Sequence, residues 1–274
     1  MSNKVILVVL DGLNYQVARD CMGYLNGLLE HHLPLSDARA SLYCLQSELP
    51  SLSRPLYECI LTGVRPVESG IVSNDIVRLS KHDSIFSLAK AQGKITAAAA
   101  YHWVSELYNR APYDATRDRF TCDESLNIQH GCFYQWDHYP DEALFLDAEH
   151  LRRTHQPDFL LIHPMNIDDM GHKHGLNSPQ YRNSARRVDI ILSHYIESWI
   201  QDGYQILVTS DHGMNDDRSH GGTLPEERDV PLFVIGHSFS HQACSVKQTE
   251  LCGNVCQLLG LAHTKPYTQE LFAL

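Results

Sequence analysis

The chain has 274 residues, 43% of them hydrophobic and 20% charged, enough to bury the core of one large domain. A formal net charge of −11 argues against electrostatic binding to a nucleic-acid polymer or an anionic membrane, so an anionic substrate would need positive charge supplied locally. The eight cysteines include no CxxC pair and suit free thiols, which predicts a reduced, cytoplasmic protein.

The first element is the apolar run KVILVVL (4–10), which ends at Asp11-Gly12. It is too short for a signal-peptide core and has no small-residue cleavage pattern, so it reads as a strand. No later run approaches a membrane span. Pro55 and Gly63 then frame a short helix over 53–62 with Ser53 at its N-terminus. A hydroxyl there sees the positive end of the helix and free backbone N–H groups, a natural place for a phosphate. A helical pattern at 82–92 leads to the strand KITAAAAY (94–101). Residues 104–145 are polar and aromatic with no clean period, and we read them as an insertion packed beside the core as a cap over the site. The strand FLLIHP (159–164) follows, then a helix over 178–201 with Ser178 as N-cap and Pro179 in its first turn. The strands QILVTS (205–210) and PLFVIG (231–236) and a helix over 247–259 complete the order. The strands are continuous apolar runs, as a sheet covered on both faces requires. The pattern predicts one α/β domain over 1–274: a doubly wound, mostly parallel central sheet with helices on both faces.

In such sheets ligands bind beyond the carboxyl ends of the strands. Asp11, the segment MNIDDMGHKHG and the segment SDHGMNDDRSHGG all fall there. Asp168 and His172 are four apart, so one helical turn brings them to the same side, ahead of the competing Asp169 and His174. Asp211 and His212 are adjacent and can share a site only where the backbone has left the strand, which Gly213 permits. His220 lies further along the same loop. Mixed oxygen and imidazole donors suit zinc, with manganese as a substitute. Serine alone is a weak nucleophile that a metal on its oxygen would activate, and Ser53 is preferred to Ser51 for this role. There is no Gly-x-Ser-x-Gly elbow.

Five fragments in order, VVLDG, PSLSRP…LTGVRPVESGIVSN, DDMGHKHG, SDHGM and HGG…VPLFVIG, resemble the alkaline phosphatase superfamily and, within it, the nucleotide pyrophosphatase/phosphodiesterase (type I phosphodiesterase) family. The resemblance implies two zinc ions, one held by Asp168, His172 and His220, the other by Asp11, Asp211, His212 and the Ser53 oxygen. It also implies that Asn74 binds a non-bridging phosphate oxygen and that Ser53 forms a phospho-enzyme. The family's segment reads Thr-Phe-Pro-Asn-His where this chain has Ser53-Arg54-Pro55-Leu56-Tyr57. Arg54 thus replaces a ring that helps hold a nucleobase, and could contact an anionic part of the substrate instead. The sulfatase branch lacks support, because Tyr57 stands where its arginine belongs.

The expected activity is hydrolysis of a small-molecule phosphate diester. A phosphonate hydrolase or phosphomonoesterase of the same superfamily is the alternative. A phosphomutase would need a second sugar-phosphate site, for which there is no basic cluster. A non-catalytic, metal-stabilised binding protein would keep the histidines but gain nothing from Ser53. No oligomeric state is expected from the sequence.

Overall fold

A computed structural model describes residues 3–273. Its strands are β1 (Lys4–Val9), β2 (Ala40–Gln46), β3 (Thr96–Tyr101), β4 (Phe120–Cys122), β5 (His130–Tyr134), β6 (Phe159–Ile162), β7 (Tyr204–Thr209) and β8 (Asp229–Ile235). The helices are α1 (Tyr15–Cys21), α2 (Gly23–Glu30), α3 (Ser53–Thr62), α4 (Pro66–Ser69), α5 (Ile85–Ala91), α6 (His102–Tyr108) and α7 (Ala115–Asp118). They continue with α8 (Asp141–His155), α9 (Asn166–His174), α10 (Pro179–Ser193), α11 (Ile196–Gln201), α12 (Pro225–Arg228) and α13 (Leu251–Leu258).

All the strands join one eight-stranded sheet in the order β2-β8-β7-β1-β6-β3-β5-β4. The centre is parallel: β1 pairs with both β6 and β7, and β3 with both β5 and β6. β8 runs antiparallel to β7, and β2 antiparallel to β8. Alternate side chains of β1 serve two cores. Ile6 and Val8 pack with α1, α2, α8, α10 and α11, while Val5, Leu7 and Val9 pack with α3, α5, α6 and α13. Burial on both faces explains why the central strands read as unbroken apolar runs.

Local signals set the boundaries. Ser178 accepts from the Tyr181 N–H and Pro179 opens α10 as read from the sequence, but the expected helix over 178–201 divides near His194 and Tyr195 into α10 and α11. Gly63, at φ 74°, ends α3 with its N–H on the Cys59 carbonyl. The segment 104–145, read as a cap insertion, lies within this layered fold: β5 extends the parallel sheet, β4 closes that edge, and α8 begins at Asp141. Among the described residues, no helix is long and apolar enough to cross a membrane.

Candidate active site

Three loops meet beyond the carboxyl ends of β1, β6 and β7. The β1 loop carries Asp11, and Gly12 follows with φ 73°; a Cβ there would lie 2.9 Å from the Asp168 Cα, so glycine lets α9 approach. After β7, the Gly213 N–H donates to the Glu227 carbonyl at 2.6 Å, and a Cβ on Gly213 would meet the Glu226 carbonyl oxygen at 2.1 Å. Gly213 therefore serves by its lack of a side chain, and the chain turns tightly enough for Asp211 and His212 to face one point. The Ser210 hydroxyl accepts from the Leu13 N–H at 2.9 Å and donates to the His212 carbonyl at 2.6 Å, tying the β1 and β7 loops together.

The inner group is Asp11, Asp211 and His212, all fully buried. His212 Nε2 lies 3.4 Å from Asp11 Oδ1 and 3.3 Å from Asp211 Oδ2. The Ser53 hydroxyl, at the first residue of α3, is 3.0 Å from the same nitrogen. The rim group is Asp168, His172 and His220. His172 and His220 present Nε2 atoms 3.2 Å apart, at 3.4 and 3.6 Å from the Asp168 carboxylate. The rings of His212 and His220 stack with centroids 3.5 Å apart, so the groups adjoin. Asp169 instead pairs with Lys173 at 2.6 Å.

The residues fit a metal pair on two counts. Each of the three imidazoles has Nδ1 against a backbone carbonyl: His212 on Gly213 at 2.8 Å, His220 on Ser51 at 2.7 Å and His172 on Arg218 at 2.9 Å. A carbonyl only accepts, so Nδ1 carries the proton and the Nε2 lone pair faces the centre, as a ligand requires. In addition, Asp11 Oδ1, Asp211 Oδ2 and Asp168 Oδ1 are buried without a hydrogen-bond partner. A bare buried carboxylate oxygen is costly without a cation.

The electrostatics agree. Burial, reinforced by the charge of Asp11, raises Asp168 and Asp211 well above the usual carboxylate range. Burial also opposes ionisation of Asp11, but the hydrogen bonds from His163 and, to a lesser extent, Tyr57 help bring Asp11 down to about 2. Burial pushes His220 down to about 3 and lowers His212, leaving neutral imidazoles. Three carboxylates are thus crowded together without enough positive charge from the chain.

The family profile of type I phosphodiesterase / nucleotide pyrophosphatase matches residues 5–221 of the chain. The chain belongs to this family. Its similar proteins include GPI ethanolamine phosphate transferase 2 of Candida albicans, 35% identical over 250 residues. The human GPI ethanolamine phosphate transferase 2 catalytic subunit is 23% identical over 275 residues. These alignments take in 88% and 94% of this chain, which spans only 26% of the length of either relative. Among solved structures, murine ectonucleotide pyrophosphatase / phosphodiesterase 5 superposes with a TM-score of 0.75 at 14% identity, covering 98% of this chain and 100% of that one. A 2-O GAG sulfatase does so with a TM-score of 0.63 at 12% identity, covering 98% and 72%. At such identities these two structures speak for the fold alone, a mixed α/β architecture around a central sheet.

The remaining expected residues of this phosphodiesterase-type domain surround Ser53. Asn74 is half-buried, and its Oδ1 accepts from the Arg54 N–H at 3.0 Å, which leaves the NH2 as the end it can offer to a phosphate oxygen. Arg54 is buried: one guanidinium nitrogen pairs with Glu106 at 2.8 Å, and its Cζ sits 4.6 Å from the centre of the Trp103 ring. Its Nε and Nη1 have no hydrogen-bond partner. Ser51 uses its hydroxyl on the Gly222 carbonyl and the Gly221 N–H, holding the His220 loop.

Three residues at the site escape the sequence reading. His163 Nε2 contacts Asp11 Oδ2 at 3.0 Å, and the Tyr57 hydroxyl donates to the same oxygen. Both fix Asp11 so that only Oδ1 is left bare. A histidine at the end of the apolar run FLLIH was the available signal. Glu106, the counter-charge of Arg54, carries no comparable mark in the sequence.

Proposed function

We propose that the chain cleaves phosphate diesters with two bound divalent metal ions, zinc by the donor set and manganese as the substitute, through a phospho-enzyme on Ser53. The observation that carries this reading is the Ser53 hydroxyl at the start of α3, 3.0 Å from a histidine nitrogen that also faces two bare carboxylate oxygens. Asp11, Asp211, His212 and Ser53 would hold one ion, and Asp168, His172 and His220 the other. Bound there, the ions would lower the pKa of the Ser53 hydroxyl and offset the charge that builds on the phosphate.

The chain's own residues do the rest. Ser53 Oγ releases its proton to solvent and attacks phosphorus, and the leaving alkoxide takes up a proton from solvent as its bond to phosphorus breaks and the serine–phosphorus bond forms. Asn74 donates to a non-bridging oxygen, and the positive end of the α3 dipole favours the same negative charge. The two unpaired Arg54 donors are buried, so an anionic part of the substrate would reach them only as the guanidinium shifts toward it. In the second half, the oxygen of an acceptor hydroxyl attacks phosphorus and gives up its proton to solvent, and the Ser53 oxygen leaves and regains a proton.

Water as that acceptor gives a hydrolase, the reading we adopt. An alcohol as acceptor gives a transferase, and the similarity to GPI ethanolamine phosphate transferases favours this second reading. The test is hydrolysis of an aryl phosphodiester, the matching monoester and the matching phosphonate by wild type and Ser53→Ala, with metal content measured on both. Diester cleavage lost in a metal-loaded Ser53→Ala supports the reading. Equal rates in the two proteins refute it. Added alcohol that diverts phosphoryl product away from water marks the transferase.

A further inference from the structure

A second place on the molecule gathers metal-competent side chains far from Ser53. Cys122, the last residue of β4, is the register partner of His130, the first residue of β5. Cross-strand partners point to the same face of a sheet and stand close together. His155 ends α8, which packs on β3, β5 and β6, and its ring stacks on that of His130 with centroids 3.6 Å apart and planes 7° from parallel. One donor atom from each of the three lies within 4.8 Å of the others. β5 runs parallel to β3, so its first residue lies at the amino end of the strands, while Asp11, Asp168 and Asp211 lie beyond the carboxyl ends. The cluster is therefore separate from the phosphodiester site.

A second observation points to a ligand there. His130 is only 8% exposed, and its Nδ1 is buried without a hydrogen-bond partner. A buried, unpartnered nitrogen on an imidazole that lies among a thiol and a second imidazole has the environment of a ligand waiting for a cation. Cys122 is exposed and free, so an ion can reach the group from solvent.

We propose that Cys122, His130 and His155 form a zinc-binding site that fastens the edge strand β4 to the end of α8. One thiolate and two imidazoles are a donor set that zinc accepts, with water in the fourth position. On binding, Cys122 Sγ releases its proton to solvent and the sulfur becomes the thiolate ligand. The half-buried His155 ring tilts out of its stack so that both imidazoles aim at one ion. An ion there would tie the last residue of β4, the outermost strand, to β5 and α8.

Cobalt separates this site from the phosphodiester centre, because the inner and rim groups contain no sulfur. The full-length protein is stripped of metal and titrated with Co2+, and the thiolate-to-cobalt charge-transfer band in the near ultraviolet is followed. We expect a band whose final intensity, once all sites are filled, matches one thiolate-bound Co2+ per chain, and which survives Asp11→Asn and vanishes in Cys122→Ser and in His155→Ala. In parallel, Zn2+ should slow alkylation of Cys122, read by peptide mass, in the wild type. A band that persists in Cys122→Ser overturns the proposal, because the sulfur then comes from another cysteine. So does the absence of any band together with Cys122 alkylated equally fast with and without Zn2+.

Discussion

The two halves of the active site are built differently. The inner group is fully buried, and its key carboxylate, Asp11, has one oxygen clamped by both Tyr57 and His163 while the other is left bare. The rim group is held from the loops: the Arg218 carbonyl orients His172, the Ser51 carbonyl orients His220, and the His172 side chain is 47% exposed. Both groups offer Nε2 lone pairs and carboxylate oxygens, yet one is anchored at the strand ends and the other joins helix α9, through Asp168 and His172, to His220 on a loop. An ion in the inner group should be tighter and slower to exchange, and an ion in the rim group should respond first to chelator.

The largest effect expected is on Ser53→Ala, which should lower diester turnover by about 10²-fold or more, the low end of the cost of removing a group that acts in the transition state. Steady-state rates at matched metal content measure it. Ligand substitutions come next and test the asymmetry directly. Asp211→Asn should abolish retention of the inner ion, whereas His172→Ala should leave that ion in place and release the rim ion. Metal content after brief dialysis against chelator reads both, and loss of the inner ion first from the wild type would break the comparison.

A smaller change is expected from Tyr57→Phe, which removes one of the two clamps on Asp11 and should weaken metal affinity or activity by about 10-fold, as partners of ligands commonly do. A metal titration followed by activity measures it. If Tyr57→Phe alters neither, the inner group does not depend on its clamp.

The smallest effect concerns the support of the rim group. Asp141 and Asn166 exchange hydrogen bonds at 3.1 and 3.4 Å where α8 and α9 begin, and α9 carries Asp168 and His172. Burial pushes Asp141 up to about 7, so the native state favours its protonated form. The stability this group contributes is complete below the unfolded carboxylate value of about 4 and is lost as pH rises through about 7. Asp141→Asn keeps the acceptor without the charge and should unfold with a flatter pH dependence between those values. Denaturation at several pH values checks this, and parallel curves would refute the assigned cause.

The five central strands are legible in the sequence because burial on both faces makes each a continuous apolar run. β2 was not, since ASLYCLQ mixes buried with exposed positions along one side of the sheet. β5 is wholly buried but only five residues long and opens with His-Gly, so no period can form. The antiparallel direction of β8 leaves no trace, because a strand covered on both faces looks the same in either direction. At the site, spacing led to Asp168 with His172, and the chemistry of Asp-His-Gly led to the inner group. Their clamps were hidden: Tyr57 and His163 matter through the oxygen they share on Asp11, a convergence of α3, β1 and the end of β6 that only folding creates.

The central claim is that Ser53 takes the phosphoryl group at the junction of the two metal groups. The most direct measurement is to quench the metal-loaded protein during turnover of an aryl phosphodiester and map the covalent adduct by peptide mass. An adduct is expected on the peptide containing Ser53 and not in Ser53→Ala. Full turnover with no adduct at Ser53, or an adduct on another residue, would contradict the claim.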